Sequence, residues 1–107
     1  MSFPAAAMQV TEAELSQVSV DSHAVIEEAK AAGVYVFGGG IDTSVDPVMV
    51  TADGLVSAEL YPGSNIDGGW LVIEAANRKS AIEWAAKVAA ACRCSQELRE
   101  FGYDPAS

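Results

Sequence analysis

The first long pattern in the chain is a set of apolar residues at three- and four-residue spacing, the period of one face of an α-helix. Its members, with Ser22 in the same register, are Leu15, Val18, Val25, Ile26 and Ala29. Thr11 and Glu14 form a capping-box pattern at its start. Gly33 follows this pattern, and glycine is the residue that most often takes the left-handed conformation that ends a helix. The pattern therefore predicts a helix from about Thr11 to about Ala32.

Short apolar and β-branched runs follow, and these are typical of strands. The Asp53-Gly54 pair between two such runs predicts a hairpin. The run around Trp70 is nearly continuous in apolar residues, which indicates a strand buried on both faces. The predicted strands are Val34–Phe37, Pro47–Thr51, Leu55–Leu60 and Trp70–Ala75. The first of these strands is expected to end at the glycines 38–40.

A second helix is predicted from Arg78 to about Ala91, with Asn77 as its cap. A last strand is predicted at Glu97–Phe101, and a weak first strand at about Ala6 to Val10. This order gives an α+β fold, a ferredoxin-like split βαβ sandwich whose antiparallel sheet carries two helices on one face. Because the strands are apolar on both faces, we expect a second subunit to cover the bare face, which favours a homodimer.

The length of 107 residues indicates a single domain spanning 1–107. The net charge of −9 and the scattered six Lys and Arg residues argue against nucleic acid and anionic membranes as partners. No apolar stretch approaches the roughly 20 residues that span a bilayer. The opening segment lacks the features of a signal peptide, so a cytoplasmic protein is expected.

Three segments resemble the YCII-related family, in particular its DGPF branch. They are the helix-to-strand join at 31–40, Asp67–Ala75 with its double glycine and tryptophan, and the helical Ser80–Lys87. The DGPF signature itself is not intact, because Asp53-Gly54 is followed by Leu55-Val56. The resemblance implies a dimeric α+β barrel with a pocket between sheet and helices, and it implies no settled reaction.

The candidate catalytic residue is His23, at the position before the glycine join where the family's first-helix histidine is expected. A histidine titrates near neutrality and can act as a general acid or base. The family's aspartate partner is missing after the second helix's "WAA" segment, leaving Glu83 or Asp21 as substitutes; the alternative is a semi-exposed helix histidine. The candidate pocket residues are Gly39, Gly40, Asp67, Gly68 and Trp70, although aspartates and glycines of this kind also serve turns and close packing.

The cysteines at 92 and 94 are too close in sequence to bridge each other without strain. With His23 they supply only three of the four ligands that structural zinc needs. We therefore expect reduced thiols, no metal and no cofactor. Three functions remain open: a homodimeric small-molecule-binding domain, a lyase- or isomerase-type enzyme that uses His23, and a structural or interaction protein.

Overall fold

The computed structural model describes residues 1–107 as two helices and two small antiparallel sheets. Helix α1 spans Glu12–Ala31 and helix α2 spans Arg78–Cys92. Both predicted caps are confirmed: the Thr11 hydroxyl accepts from the Glu14 N–H at 3.2 Å, and the Asn77 side chain accepts from the Ser80 N–H at 2.8 Å. The two helices pack against each other. No helix is both long enough and apolar enough to cross a membrane.

The central sheet pairs β1 (Tyr35–Gly40) with β4 (Gly69–Ile73) in antiparallel register. Isolated bridges extend this sheet beyond β4, because Ser2 pairs with Trp70 on one side and with Glu97 on the other. The resulting order is the segment at Glu97, the segment at Ser2, β4 and β1. That order and the all-antiparallel pairing are compatible with a ferredoxin-like fold.

Three predicted strand positions need correction. The first strand lies at Ser2 and not at 6–10, because Ala5–Ala7 form a short 3-10 helix. The glycines 38–40 do not end β1: all three continue it, since Leu71, Trp70 and Gly69 pair with them. The last strand is reduced to a bridge at Glu97, and 98–101 form no regular structure.

A long connection, residues 41–66, separates β1 from β4, and we call it the arm. It contains the predicted hairpin, observed as β2 (Met49–Val50) and β3 (Val56–Ser57). The turn between them is closed by hydrogen bonds from Thr51 N–H to the Leu55 carbonyl and from Gly54 N–H to the Thr51 carbonyl. Most arm side chains are exposed, including Val50, Leu55 and Val56 at 60–67%. The arm therefore adds apolar surface without adding to the core.

The core is small for the length of the chain. Only 8 of 107 residues are buried, and Val18, Ala29 and Leu71 form its centre between α1 and the sheet. The accessible surface is 7789 Å², whereas a compact monomer of this mass has about 5,700 Å². The excess of about 2,000 Å² comes from an open, flat shape of 43 × 42 × 20 Å.

Candidate functional site

A half-open cavity of about 230 Å³ lies between the helices and the central sheet. Its walls are mainly apolar, because α1 contributes Val18, Val25 and Ile26 and β4 contributes Leu71. Exposed lining residues on α1 and at the end of β1 mark its mouth. These are His23, Gly39 and Gly40. The resemblance to the YCII-related family implies a pocket between sheet and helices, and this cavity lies between those elements.

Four of the six predicted site residues meet here. Gly39, Gly40 and Trp70 line the cavity together with His23. Trp70 also donates its indole N–H to the Ile66 carbonyl at 3.4 Å, which ties β4 to the end of the arm. The bare backbone at Gly39 and Gly40 leaves the mouth open, since no atom lies within 4 Å of a Cβ placed at either position.

The other two predicted residues have structural positions. The Asp67 carboxylate accepts a hydrogen bond from the Ala5 N–H at 3.0 Å and so holds the N-terminal segment. Gly68 is buried, and its carbonyl accepts from the Ile41 N–H at 2.9 Å. Neither residue lines the cavity between helices and sheet. Gly68 thus admits the close approach of the N-terminal segment, because a Cβ there would lie 1.9 Å from the Phe3 carbonyl oxygen, whereas Gly69 lines the cavity.

His23 is exposed on α1, and its imidazole forms no hydrogen bond or ion pair. Neither substitute carboxylate serves it. Asp21 pairs with Arg93 at 2.8 Å and also accepts from Gln17. These hydrogen bonds, from Gln17 and then from Arg93, hold the pKa of Asp21 below its usual value. Glu83 is exposed on α2 and forms no hydrogen bond or ion pair. A catalytic dyad is therefore not assembled around His23.

Phe3 and Cys92 are among the residues of the cavity that were not anticipated from the sequence. The buried Cys92 lines it from the end of α2, and the buried Phe3 lines it from the N-terminal segment. Burial raises the pKa of the Cys92 thiol, and the neighbouring Cys94 raises it further. The thiol is thus protonated and weakly nucleophilic at neutral pH. Cys92 lies in the last turn of an amphipathic helix, and this position in the sequence could have predicted that it faces the interior of the fold.

Both cysteines are free thiols, and Cys94 is half-buried. Burial also raises the pKa of Cys94. No group of three or more His, Cys, Asp or Glu side chains is placed to hold a metal ion. The lining residues with polar side-chain groups are His23, Ser22, Gln96, Cys92 and Trp70, whose indole N–H is bonded to the Ile66 carbonyl.

Comparisons with known proteins add no relative: no family model, no curated protein and no solved structure matches the chain.

Proposed function

We propose that the chain is a YCII-related, homodimeric domain that binds a small molecule in the cavity between its sheet and its helices. The observation that carries this proposal is the cavity of about 230 Å³ with its apolar walls and few polar groups. An apolar cavity of about 150 Å³ holds benzene, so this one suits a ligand of about nine non-hydrogen atoms. The polar groups at His23, Ser22 and Gln96 favour a ligand with one hydrogen-bonding substituent.

The homodimer part of the proposal is supported by exposed apolar surface. Phe37 on β1 is 63% exposed, and its partner Val72 on β4 is only half-buried. The accessible surface of the chain exceeds that of a compact monomer by about 2,000 Å². Obligate dimers bury about 1,000–2,500 Å² per subunit, which is the size of that excess. A second copy on the bare face of β1 and β4 would complete the α+β barrel that the resemblance implies.

The alternative function is a lyase- or isomerase-type enzyme with His23 as general acid or base. Its support is the position of His23 at the mouth of the cavity. The missing carboxylate partner weighs against it, because a general base is usually oriented by a hydrogen bond to its second nitrogen. Binding without turnover is therefore the function that the geometry favours.

The test uses indole and benzyl alcohol as probes, with binding followed by NMR chemical shifts of cavity residues. Val25 lines the cavity, whereas Val20 on the same helix is 61% exposed and does not. We expect Val25→Phe to abolish probe binding by filling the cavity, and Val20→Phe to leave it intact. Equal binding by wild type and Val25→Phe would refute the site.

Native mass spectrometry of the purified protein then asks whether a natural small molecule is retained. The variant His23→Ala distinguishes the enzyme alternative from binding without turnover. If the protein only binds, we expect this variant to retain the same compound, chemically unchanged. If the retained compound is converted to product by the wild type and not by His23→Ala, the alternative is correct and the binding function is not.

A further inference from the structure

The arm carries most of the apolar surface that the fold leaves exposed. It contains nine of the sixteen large apolar side chains that are exposed in the chain, although it comprises only about a quarter of the residues. Exposed side chains of this size present about 100 Å² each, so the nine together present on the order of 900 Å². Monomeric proteins rarely expose a contiguous apolar patch of more than a few hundred Å², and larger patches mark interaction sites.

One face of the hairpin in the arm is apolar. Val50 of β2 lies directly opposite Val56 of β3, so the two side chains project from the same face. Val48 comes two positions before Val50 and shares that face, since side chains alternate along a strand. All three residues are more than half exposed. The apolar face of the hairpin is thus largely uncovered by the rest of the chain.

The hydrogen bonds that tie the arm to the rest of the fold lie at its two ends. The Ile41 N–H donates to the Gly68 carbonyl, and the Ile66 carbonyl accepts from the Trp70 indole. The hydrogen bonds of residues 42–65 stay within the arm, and these residues form no ion pair. A two-stranded hairpin on its own is marginally stable in water and needs a surface against which its apolar face can pack. The hairpin therefore indicates a partner surface.

The charges of the chain restrict which surface fits the arm. The arm has four carboxylates and no Lys or Arg. Five of the six Lys and Arg side chains elsewhere in the chain are already paired with carboxylates, so a second copy offers little free positive charge. It does offer the bare face of β1 and β4, whose residues are all uncharged. Contact with this face brings no charged side chain of either strand against the carboxylates of the arm.

A second copy also matches the arm in area and in position. A standard interface takes about 800 Å² from each partner, which is close to the apolar area that the arm presents. In a two-fold dimer the same contact is made twice, once by each arm on the other copy. The arm leaves the fold at the end of β1 and returns at the start of β4, so both of its ends adjoin the sheet that carries the bare face.

We propose that the arm is a dimerisation arm, whose apolar hairpin face with Val50 and Val56 packs on the bare face of β1 and β4, beside Phe37, in a second copy of the chain. The proposal rests on the homodimer proposed above and adds the segment that holds the two copies together. Without the second copy the hairpin has no surface to pack on, and its strands separate readily.

Sedimentation equilibrium of two variants tests the arm. Val56→Glu places a charge on the apolar face, and we expect it to weaken the dimer by about tenfold or more, because the charge is buried without a partner. Ser57→Glu is the control, since Ser57 is exposed in the same strand and projects from the opposite face, and we expect its dimer affinity to stay within about twofold of wild type.

The outcomes separate the arm from the homodimer. If wild type and Val56→Glu dimerise equally well, the arm serves another partner and the proposal is wrong, whereas the homodimer stands. If the wild type is monomeric at all concentrations, the homodimer and the arm contact are both wrong.

A second experiment locates the contact in dimers mixed from ¹³C-labelled and unlabelled chains. We expect intermolecular nuclear Overhauser effects between the methyl groups of Val56 and the ring of Phe37. Effects between these groups within one chain alone would show that the arm folds back on its own sheet. The absence of any effect between them would place the arm elsewhere, and either result overturns the proposal.

Amide hydrogen exchange then asks whether the hairpin depends on the second copy. The Thr51 N–H donates to the Leu55 carbonyl and reports on the hairpin, whereas the Ala81 N–H donates to the Asn77 carbonyl and reports on α2. In monomeric Phe37→Glu, which leaves the arm unaltered, we expect the Thr51 N–H to exchange about tenfold faster and the Ala81 N–H to be unaffected. Unchanged protection of Thr51 in these monomers would show that the hairpin is stable alone and would exclude the second copy as its support.

Discussion

The carbonyl oxygen of Phe3 lies 1.9 Å from the place that a Cβ on Gly68 would occupy. No side chain fits at residue 68 unless the N-terminal segment moves away from β4. The neighbouring Gly69 is covered by the Phe3 ring in the same way, at 2.6 Å. The double glycine before Trp70 is thus explained by the strand pairing of Met1–Phe3 with β4.

The first prediction concerns this contact. We expect Gly68→Ala to lower the free energy of unfolding by about 2–3 kcal/mol, because backbone must shift to admit the methyl group. Gly39→Ala is the control, since it meets no atom within 4 Å, and we expect it to be neutral or to stabilise by about 0.5 kcal/mol. Urea unfolding followed by circular dichroism measures both. A Gly68→Ala variant as stable as wild type would contradict the packing of Phe3.

The helix caps give a second prediction. Asn77 accepts from the Ser80 N–H, and we expect Asn77→Ala to cost about 1 kcal/mol of stability. Asn65→Ala is a matched control, because Asn65 is exposed in the arm and its side chain forms no hydrogen bond. In thermal unfolding, the melting temperature of Asn77→Ala should be several degrees lower than that of Asn65→Ala. If both melt at the same temperature, the cap contributes nothing to stability.

The third prediction tests the proposed homodimer. Sedimentation equilibrium should give twice the chain mass of 11.1 kDa for the wild type. Phe37→Glu places a charge on the bare face of β1, and we expect it to yield monomers. Tyr103 is 94% exposed in the C-terminal segment, so Tyr103→Glu should remain dimeric. A monomeric wild type, or a dimeric Phe37→Glu, would rule out this interface.

The fourth prediction follows from the ion pair between α1 and the end of α2. The pKa of Asp21 is lowered by hydrogen bonds from Gln17 and Arg93. A carboxyl whose pKa is lower in the folded state than in the unfolded state stabilises the fold at pH values above its unfolded pKa of about 3.9. This stabilisation is lost as the pH falls through the pKa of the carboxyl in the folded state. Asp21→Asn should therefore be less stable than wild type at pH 7, and the difference should vanish in acid. A difference that is independent of pH would exclude the ionised pair as its cause.

The sequence predicts best what local contacts decide. Thr11 and Asn77 cap helices through residues only three positions away, so both helix starts were predictable. The glycines 38–40 were expected to end β1 because glycine has low strand propensity. They continue it because Leu71, Trp70 and Gly69 supply the pairing, and those residues are distant in sequence. Tertiary pairing outweighs propensity at this position.

The cavity was predictable in part for the same reason. His23, Gly39, Gly40 and Trp70 were identified by position in the chain, and all four line it. Phe3 and Cys92 were missed, since Phe3 reaches the site only through pairing with Gly69, which is 66 positions away. Asp67 lies outside this cavity, and its carboxylate accepts from the backbone of Ala5, a contact that no local pattern indicates.

The last prediction uses Cys92 as a reporter of the cavity. Burial raises the pKa of both thiols, and alkylation proceeds through the thiolate. At pH 7.5 we expect Cys92 and Cys94 to react with iodoacetamide more slowly than free cysteine, and their rates to reach half of their plateau at a higher pH than the roughly 8.5 of free cysteine. In a Cys94→Ser background, Val25→Phe should slow Cys92 further by filling the cavity that it lines. Val20→Phe should not. Mass spectrometry of quenched time points gives the rates, and a Cys92 that reacts as fast as free cysteine would show that this side chain faces solvent rather than the cavity.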